Sequence, residues 1–530
     1  MFSMCLCGSI LVDLVNPISK VIFAGEISHL SVKKLAGQTI WYGLSSIAAR
    51  FINYLLTPYL TFKFLEWQYG EMSIIYAFIP FMNVIYTYGM ETAFFRFANK
   101  ADKDKVYNST SISLITSTVF LSLLMILLRN PLAILLQITQ HPEYLSMSAA
   151  IIGLDALTAI PFAKLRQDGR PVKFALTKVG GILINIICVY FFLSVCPRLA
   201  KDPHSFVHLF FDNNWAVGYV LLANLIQNIA TLLLLSKQFL GFKWSFDKLL
   251  WKEMMIYGLP LIIAGFAGMI NETFDRIMLG WWAPVKTVKE AKAQVGIYSA
   301  CYKLSILITL AVQAFRMGAE PFFFKQSVEE NAPRVYARVM KLFVITLCTM
   351  FLLVMLYLDA WKYFIRNPKM WDGLKVVPIL LFANMFLGIY YSLSIWYKLS
   401  NKTLAGAWIT LAGAIITLVI NYFGIPYFSY MACAWATFAC YGSMMVLSYV
   451  WGQKEYPIPY AWKKLVAYMV IALLLYAFHS LLIYIVPSRL FYYFTATILL
   501  GAFTLFILKI ERKEFERLPV IGKYLTPKMV

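Results

Sequence analysis

Several side chains that carry charge stand inside or at the ends of long apolar runs, and they are where chemistry is to be sought. The basic ones are Arg50, Lys178, Arg276 and Lys303, and the acidic ones are Asp155, Glu272 and Asp275, with Glu91 and Glu320 toward the ends of their runs. A charged group at the centre of a bilayer costs about 2.5–3.5 kcal/mol on insertion scales, so such residues normally face a bundle interior or a wet cavity. Arginine forks and lysine ammonium groups suit a phosphate-bearing anion. They repel an organic cation. In the stretch INETFDR, Glu272 and Arg276 stand four apart and can pair within one continuous helix, while Glu272 and Asp275, three apart, share a face of it. The cluster reads either as a self-neutralising structural clamp or as a substrate or coupling site. Asp155, in IIGLDALTAIP, reads as protonated, as paired with a neighbouring helix or as part of a proton or sodium relay. Lys178, near a run's end, is placed to snorkel. Glu91 and Glu320 are followed five residues on by Arg96 and Lys325. That pattern suits a latch at the bundle ends better than a substrate contact.

No enzyme chemistry is encoded in a recognisable motif. There is no GxxxxGK[ST] phosphate loop, so ATP hydrolysis by this chain is not expected. The five histidines are scattered, and His204 and His208 share a loop with Pro203, a weak basis for a metal site. Of the eight cysteines, none forms a CxxC pair, and most sit in apolar runs as small fillers. No metal or cofactor is expected.

The elements that must hold these charges are membrane helices. Of 530 residues, 61% are hydrophobic and 14% charged, and the mean hydropathy is +0.69. A soluble chain runs about 45–50% apolar and about 25% charged, and single cores stop growing at about 250–300 residues. A large soluble enzyme, a disordered chain and a disulfide scaffold are therefore excluded. About fourteen apolar stretches follow one another, from 38–60 to 490–509, each of about 20 residues and long enough to span as a helix. The seventh covers 254–281 and the eighth 295–315. The fold class is all-α, a polytopic membrane protein. Lys and Arg total 47 against 26 Asp and Glu, a net charge of +21. They concentrate in alternate loops, which argues for membrane orientation rather than nucleic acid and puts both termini in the cytoplasm. The first 30 residues, a short apolar run containing Asp13 with no basic stretch before it, make a poor signal peptide. Two readings stay open for them: a short cytoplasmic helix lying on the membrane, and a start codon assigned too far upstream. Pro80, Pro161 and Pro260 fall within spans, where they can kink helices but are also common without function.

An internal repeat organises the spans. Tyr42-Gly43-Leu44 in the first span returns as Tyr257-Gly258-Leu259 in the seventh. The second span opens with YGEMSIIY from Tyr69 and the eighth with VGIYSACY from Val295, and they close with GMETAFFRF from Gly89 and GAEPFFFKQ from Gly318. Three matches in the same order give two homologous six-helix bundles in parallel topology, plus two C-terminal helices. The expected parts are an N-terminal cytoplasmic segment (1–34), a first bundle (35–236), a linker (237–253) and a second bundle (254–452). Helices 13 and 14 (453–510) and a cytoplasmic tail (511–530) complete the chain.

This architecture, with NETFDRIMLGWW from Asn271, VGIYSACYKLS and AFRMGAEPFFFKQ, resembles the multidrug/oligosaccharidyl-lipid/polysaccharide exporter superfamily, and within it the polysaccharide flippase branch. The resemblance implies movement of a lipid-linked oligosaccharide, a surface polysaccharide repeat unit, across the cytoplasmic membrane by alternating access. It implies helices 1, 2, 7 and 8 as the cleft lining, so that Arg50, Arg276 and Lys303 would bind substrate. Asp155, Glu272, Asp275, Glu91 and Glu320 would serve coupling, to protons or sodium, or gating. Membrane lipids, a polysaccharide polymerase and glycosyltransferases are the partners it implies. The alternatives are a cation-coupled multidrug exporter, which should show an acidic cavity, and a membrane glycosyltransferase, which would need a larger loop domain. In a cysteine-free background, Asp168→Cys is expected to resist an impermeant thiol reagent applied outside cells and His204→Cys to react. Equal labelling of both would overturn this topology.

Overall fold

The computed structural model describes residues 43, 46–98 and 101–516. The N-terminal segment, with the alternatives for its first 30 residues, and most of the tail lie outside the described residues. Helix α1 runs over 46–54 and resumes, after a turn at 55–56, as Thr57–Lys63. Then come α2 (Glu66–Thr87, continued by Met90–Phe97), α3 (Lys103–Leu127), α4 (Glu143–Gln167), α5 (Pro171–Leu199) and α6 (Asn213–Leu234). The second half has α7 (Lys248–Trp282), α8 (Val288–Gln326), α9 (Ala332–Met355), α10 (Pro368–Leu399), α11 (Thr403–Phe428) and α12 (Tyr430–Glu455). Helices α13 (Trp462–Ile485) and α14 (Arg489–Ile510) follow. By length and composition 12 of these can cross a membrane, or up to 13 with the bent α2, and α1 starts in the stretch that is not described. Among the described residues there is no strand. The chain is an all-α, multi-pass membrane protein. Exposed Leu side chains such as Leu127, Leu176, Leu233, Leu474 and Leu505 face outward, where lipid would cover them.

Local sequence sets the helix starts. Asp102 caps α3 through the Asp104 N–H, Asp247 caps α7 through those of Leu249 and Leu250, and Thr287 caps α8 through that of Glu290. Each side-chain oxygen satisfies an amide that has no intrahelical acceptor. Pro171 and Pro368 stand in first turns, where the missing N–H costs nothing. Inside α2, the 42° bend falls at Tyr88 and Gly89, both left-handed at φ 31° and 74°, and not at Pro80. Pro161 and Pro260 lie within continuous helices. In α7, residues Ile270–Phe274 form a π-helical segment. Helix α8 runs unbroken for 39 residues, well beyond the 295–315 read from hydropathy.

The two bundles meet at the glycines of the repeat. A Cβ on Gly70 of α2 would lie 1.7 Å from the Lys292 carbonyl oxygen of α8, and one on Gly296 would lie 2.0 Å from the Glu66 carbonyl oxygen. At the other end of the same helices, a Cβ on Gly89 would lie 2.7 Å from the Gly258 carbonyl oxygen of α7. Gly43 of α1 faces the Met317 side chain of α8, beside Gly318, the repeat mate of Gly89. Between these points Phe81 of α2 stacks on Phe274 and tilts against Phe266 of α7, at 5.6 and 4.7 Å.

Helices α13 and α14 are held to α9 at both ends. Near the basic face, buried Glu511 accepts hydrogen bonds from Lys341 Nζ (2.6 Å), Lys464 Nζ (3.1 Å) and Tyr468 Oη (2.6 Å). Burial alone would raise the Glu511 carboxyl, but these donors hold it below the usual carboxylate range. At the opposite end Asp359 pairs with Lys362 and accepts from Tyr493. Gly70→Ala and Gly296→Ala are each expected to lower the thermal stability of the purified protein, by the about 1–3 kcal/mol of an overpacked contact. Gly268→Ala, whose Cβ meets nothing within 4 Å, is expected to be neutral.

Candidate functional site

The charged residues singled out in the sequence fall into two groups, one in each bundle. In the second bundle, the π-helical turn of α7 is the organising element. It inserts a wider turn just before Asp275, as π-bulges do at many functional sites. Asp275 is buried, and its Oδ2 accepts from Tyr298 Oη of α8 at 2.6 Å while Oδ1 accepts from Arg276 Nη1 at 3.0 Å. Arg276 Nη1 also donates to the backbone oxygen of Glu272 at 2.9 Å, and its guanidinium lies 4.5 Å from the Tyr302 ring centroid.

This geometry corrects the continuous-helix reading. Arg276 does not pair with the Glu272 carboxylate four residues back. It pairs with its neighbour Asp275 and takes only the Glu272 carbonyl. Nor do Glu272 and Asp275 share a face: Asp275 is buried against Tyr298, and Glu272 is exposed with no ion pair or side-chain hydrogen bond among the described residues. The π-helical segment shifts the register that a 3.6-residue period assumes.

Lys303, five residues after Tyr298 on α8, is half-buried and has no ion pair or hydrogen bond among the described residues. The charge that acts on it is Arg276, another cation. Exposed Arg50 of α1 also lacks a described partner. Arg316, Glu272 and Arg50 all lie within electrostatic reach of Tyr391 on α10.

Arg316 is a residue that sequence reasoning misses. Its guanidinium lies 4.7 Å from the Tyr391 centroid, and its Nε bonds Glu320 Oε1 at 3.0 Å. The hydropathy window ends at 315, so this residue passes for a loop arginine, although α8 continues for another two to three turns. Glu320 also receives Lys398 of α10, and Glu91 pairs with Arg166 of α4. Both carboxylates thus bind within their own bundle. Neither pairs with Arg96 or Lys325. Arg96 instead stacks across the seam on Tyr257 of α7, at 4.2 Å.

In the first bundle, half-buried Asp155 lies within electrostatic reach of Lys178, near Asn228 and Tyr76. The Lys178 Nζ lies 4.6 Å from the Phe162 ring centroid. Asp155 and Lys178 face each other without a direct ion pair, so either can respond to a third charge. Among the described residues no group of His, Cys, Asp and Glu could hold a metal ion.

Residues 204–327, from the loop before α6 to the end of α8, match the model of a family described as polysaccharide biosynthesis protein. This segment contains the π-helical turn, Lys303 and Arg316. No curated protein matches the chain in sequence. Among solved structures, the chain is similar to lipid II flippase MurJ in an inward closed conformation. The TM-score is 0.69 at 13% identity, covering 89% of this chain and 99% of that one. A MATE family multidrug resistance transporter of the MOP superfamily, in an inward-facing conformation, gives a TM-score of 0.60 at 12% identity, covering 86% and 98%. The outward-facing conformation of such a transporter gives 0.56 at 12%, covering 83% and 99%. The chain therefore shares its fold with these flippase and transporter structures.

Asp275→Ala leaves Arg276 in a buried site without its carboxylate and is expected to cost about 3–5 kcal/mol of stability. Glu272→Gln removes no described contact and should unfold at the wild-type temperature. Thermal unfolding of both purified variants checks the assignment, and an equal loss for Glu272→Gln would return the ion pair to Glu272.

Proposed function

We propose that this protein is a flippase that moves a lipid-linked oligosaccharide, the repeat unit of a surface polysaccharide, from the cytoplasmic to the outer leaflet by alternating access. The observation that carries this reading is Lys303 beside Arg276, with neither Lys303 nor Arg50 of the other bundle paired among the described residues. Arg276 is held by Asp275, so of these three Lys303 and Arg50 are the basic groups without a described counter-charge, and an unpaired cation inside a protein loses hydration without compensation. A lipid pyrophosphate supplies negative charge for the ammonium and acceptor oxygens for an arginine fork. The match of residues 204–327 to a polysaccharide biosynthesis family supports the same substrate class.

Two related bundles that meet at repeated glycine contacts support alternating access. With the lysine- and arginine-rich loops on the cytoplasmic side of the inner membrane, both termini are cytoplasmic. Substrate enters the cleft from that side, and its lipid tail stays in the bilayer. Proton or sodium coupling falls to Asp155, near Lys178, and to the exposed carboxylate of Glu272. Glu91 and Glu320 hold the ends of their own bundles. A polymerase and the glycosyltransferases that build the repeat unit are the partners that this placement calls for. A second reading, a cation-coupled exporter of organic solutes, draws on Glu272, a carboxylate of the cleft wall with no described partner.

Arg50→Ala and Lys303→Ala are each expected to abolish surface polysaccharide while the protein still reaches the membrane. Loss of a charge-assisted contact costs about 1.5–3 kcal/mol, roughly ten- to hundredfold in affinity. Arg50→Lys should retain partial activity, because an ammonium cannot make the bidentate fork. Lys303→Glu should be worse than Lys303→Ala. Polymer on the cell surface, measured against membrane protein level, decides it. Normal export by the Arg50→Glu, Lys303→Glu double variant would end the anionic-substrate reading, and drug efflux by that variant would favour the second.

A further inference from the structure

Glu71 and Lys292 fall just outside the apolar stretches of the sequence, and neither belongs to the candidate site. In the structure they form an ion pair of 2.7 Å, with side chains only 3% and 8% exposed. Glu71 belongs to α2 of the first bundle and Lys292 to α8 of the second. Among the described ion pairs it is the one that joins the two halves. It lies directly beside the closest backbone approach between them, Gly70 against Lys292 and Gly296 against Glu66. Hydrogen bonds between the halves flank it: Asn367 Nδ2 to Glu66 Oε1 at 2.9 Å and Trp281 Nε1 to the Leu135 carbonyl at 2.6 Å.

The seam at the basic face is built differently. There Gly89 meets Gly258 and Arg96 stacks on Tyr257, and the nearby carboxylates Glu91 and Glu320 are engaged within their own bundles. We propose that the Glu71–Lys292 pair is the gate of the face opposite the basic one, closed in this conformation and broken when that side opens. The proposal rests on the alternating-access reading but not on the identity of the substrate.

A buried ion pair suits a seam that must open. While closed, the charges satisfy each other at short range. When the helices part, water solvates both, and the hydration returned offsets the lost attraction. Two apolar side chains in the same place would close as well, but opening would expose them to water with no compensation. Removing one partner has the reverse effect. The remaining charge is stranded in the closed state and hydrated in the open one, so the open state gains.

Ser299 supplies a reporter. It lies seven residues after Lys292, on the same face of α8, and its buried hydroxyl has no hydrogen-bond partner among the described residues. In a cysteine-free chain carrying Ser299→Cys, an impermeant maleimide is applied from the face opposite the basic one. Glu71→Gln and Lys292→Met should each raise the labelling rate roughly tenfold, a shift of about 1.4 kcal/mol toward the open form. The exchange Glu71→Lys with Lys292→Glu should bring it back toward the parent. The apolar pair Glu71→Leu with Lys292→Met should label no faster than the parent. Unchanged labelling in folded single variants overturns the gate. If the single variants do not reach the membrane, the two double variants decide, and labelling as fast in the apolar pair as in an unfolded control overturns it. Because the readout needs no substrate, loss of polysaccharide export in Arg50→Ala with an intact labelling pattern, or the reverse, separates the gate from the flippase reading.

Discussion

Backbone against backbone is the constraint on which this structure turns. Where α2 and α8 cross, the main chains are so close that a single methyl group on Gly70 or Gly296 would overlap a carbonyl oxygen of the other helix. The two residues occupy equivalent places in the repeat, YGEM and VGIY. The contact is therefore near-symmetric, each half offering the same small surface to the other, as small residues do wherever membrane helices pack closely. Gly89 against Gly258, and Gly43 against Met317, repeat the device at the other end. Around these close approaches the halves share apolar packing, with α2 side chains such as Ile74 and Ile75 in one buried cluster with Leu279 of α7 and Val295 of α8.

The interior between them is an electrostatic compromise. Asp275, Arg276, Tyr298 and Tyr302 form a satisfied cluster, with both oxygens of the acid engaged. Next to it Lys303, Arg50 and Glu272 are not satisfied by any described partner. A membrane protein keeps an unpaired charge in its middle only where water or a ligand reaches it. The distinction between the settled and the open charges is drawn by the π-helical turn of α7, which directs Asp275 inward and leaves Glu272 exposed. The equivalent stretch of α1, at 55–56, is a turn, so both first helices of the repeat depart from regular α-helix at the same place.

The two ends of the cleft are sealed by different physics. One end has a buried ion pair and hydrogen bonds between the halves, and the other has a glycine contact and an arginine over a tyrosine ring. Helices α13 and α14, clamped to α9 through Glu511 and Asp359, travel with the second bundle.

By itself the sequence determined the solvent and the plan. An apolar fraction of 61% in 530 residues leaves lipid as the only medium able to cover the chain, and backbone hydrogen bonding in lipid then requires helices. The repeated Tyr-Gly-Leu and the two Glu-containing motifs showed two related halves, and the cost of buried charge marked Arg50, Asp155, Arg276 and Lys303 as residues needing explanation. What the sequence did not show was pairing. A 3.6-residue period joins Glu272 to Arg276, but the π-helical turn joins Asp275 instead, because helix irregularity depends on packing against α8 and α11 rather than on local propensity. Arg316 escapes notice because a hydropathy window ends where charge begins, whereas a helix continues as long as its neighbours support it. Glu71 and Lys292 look like solvated helix ends, and only the close approach of α2 and α8 buries them against each other. Composition and periodicity are local properties of a chain. Which charges end up with a partner is settled by distance in three dimensions, and that was for the tertiary structure to decide.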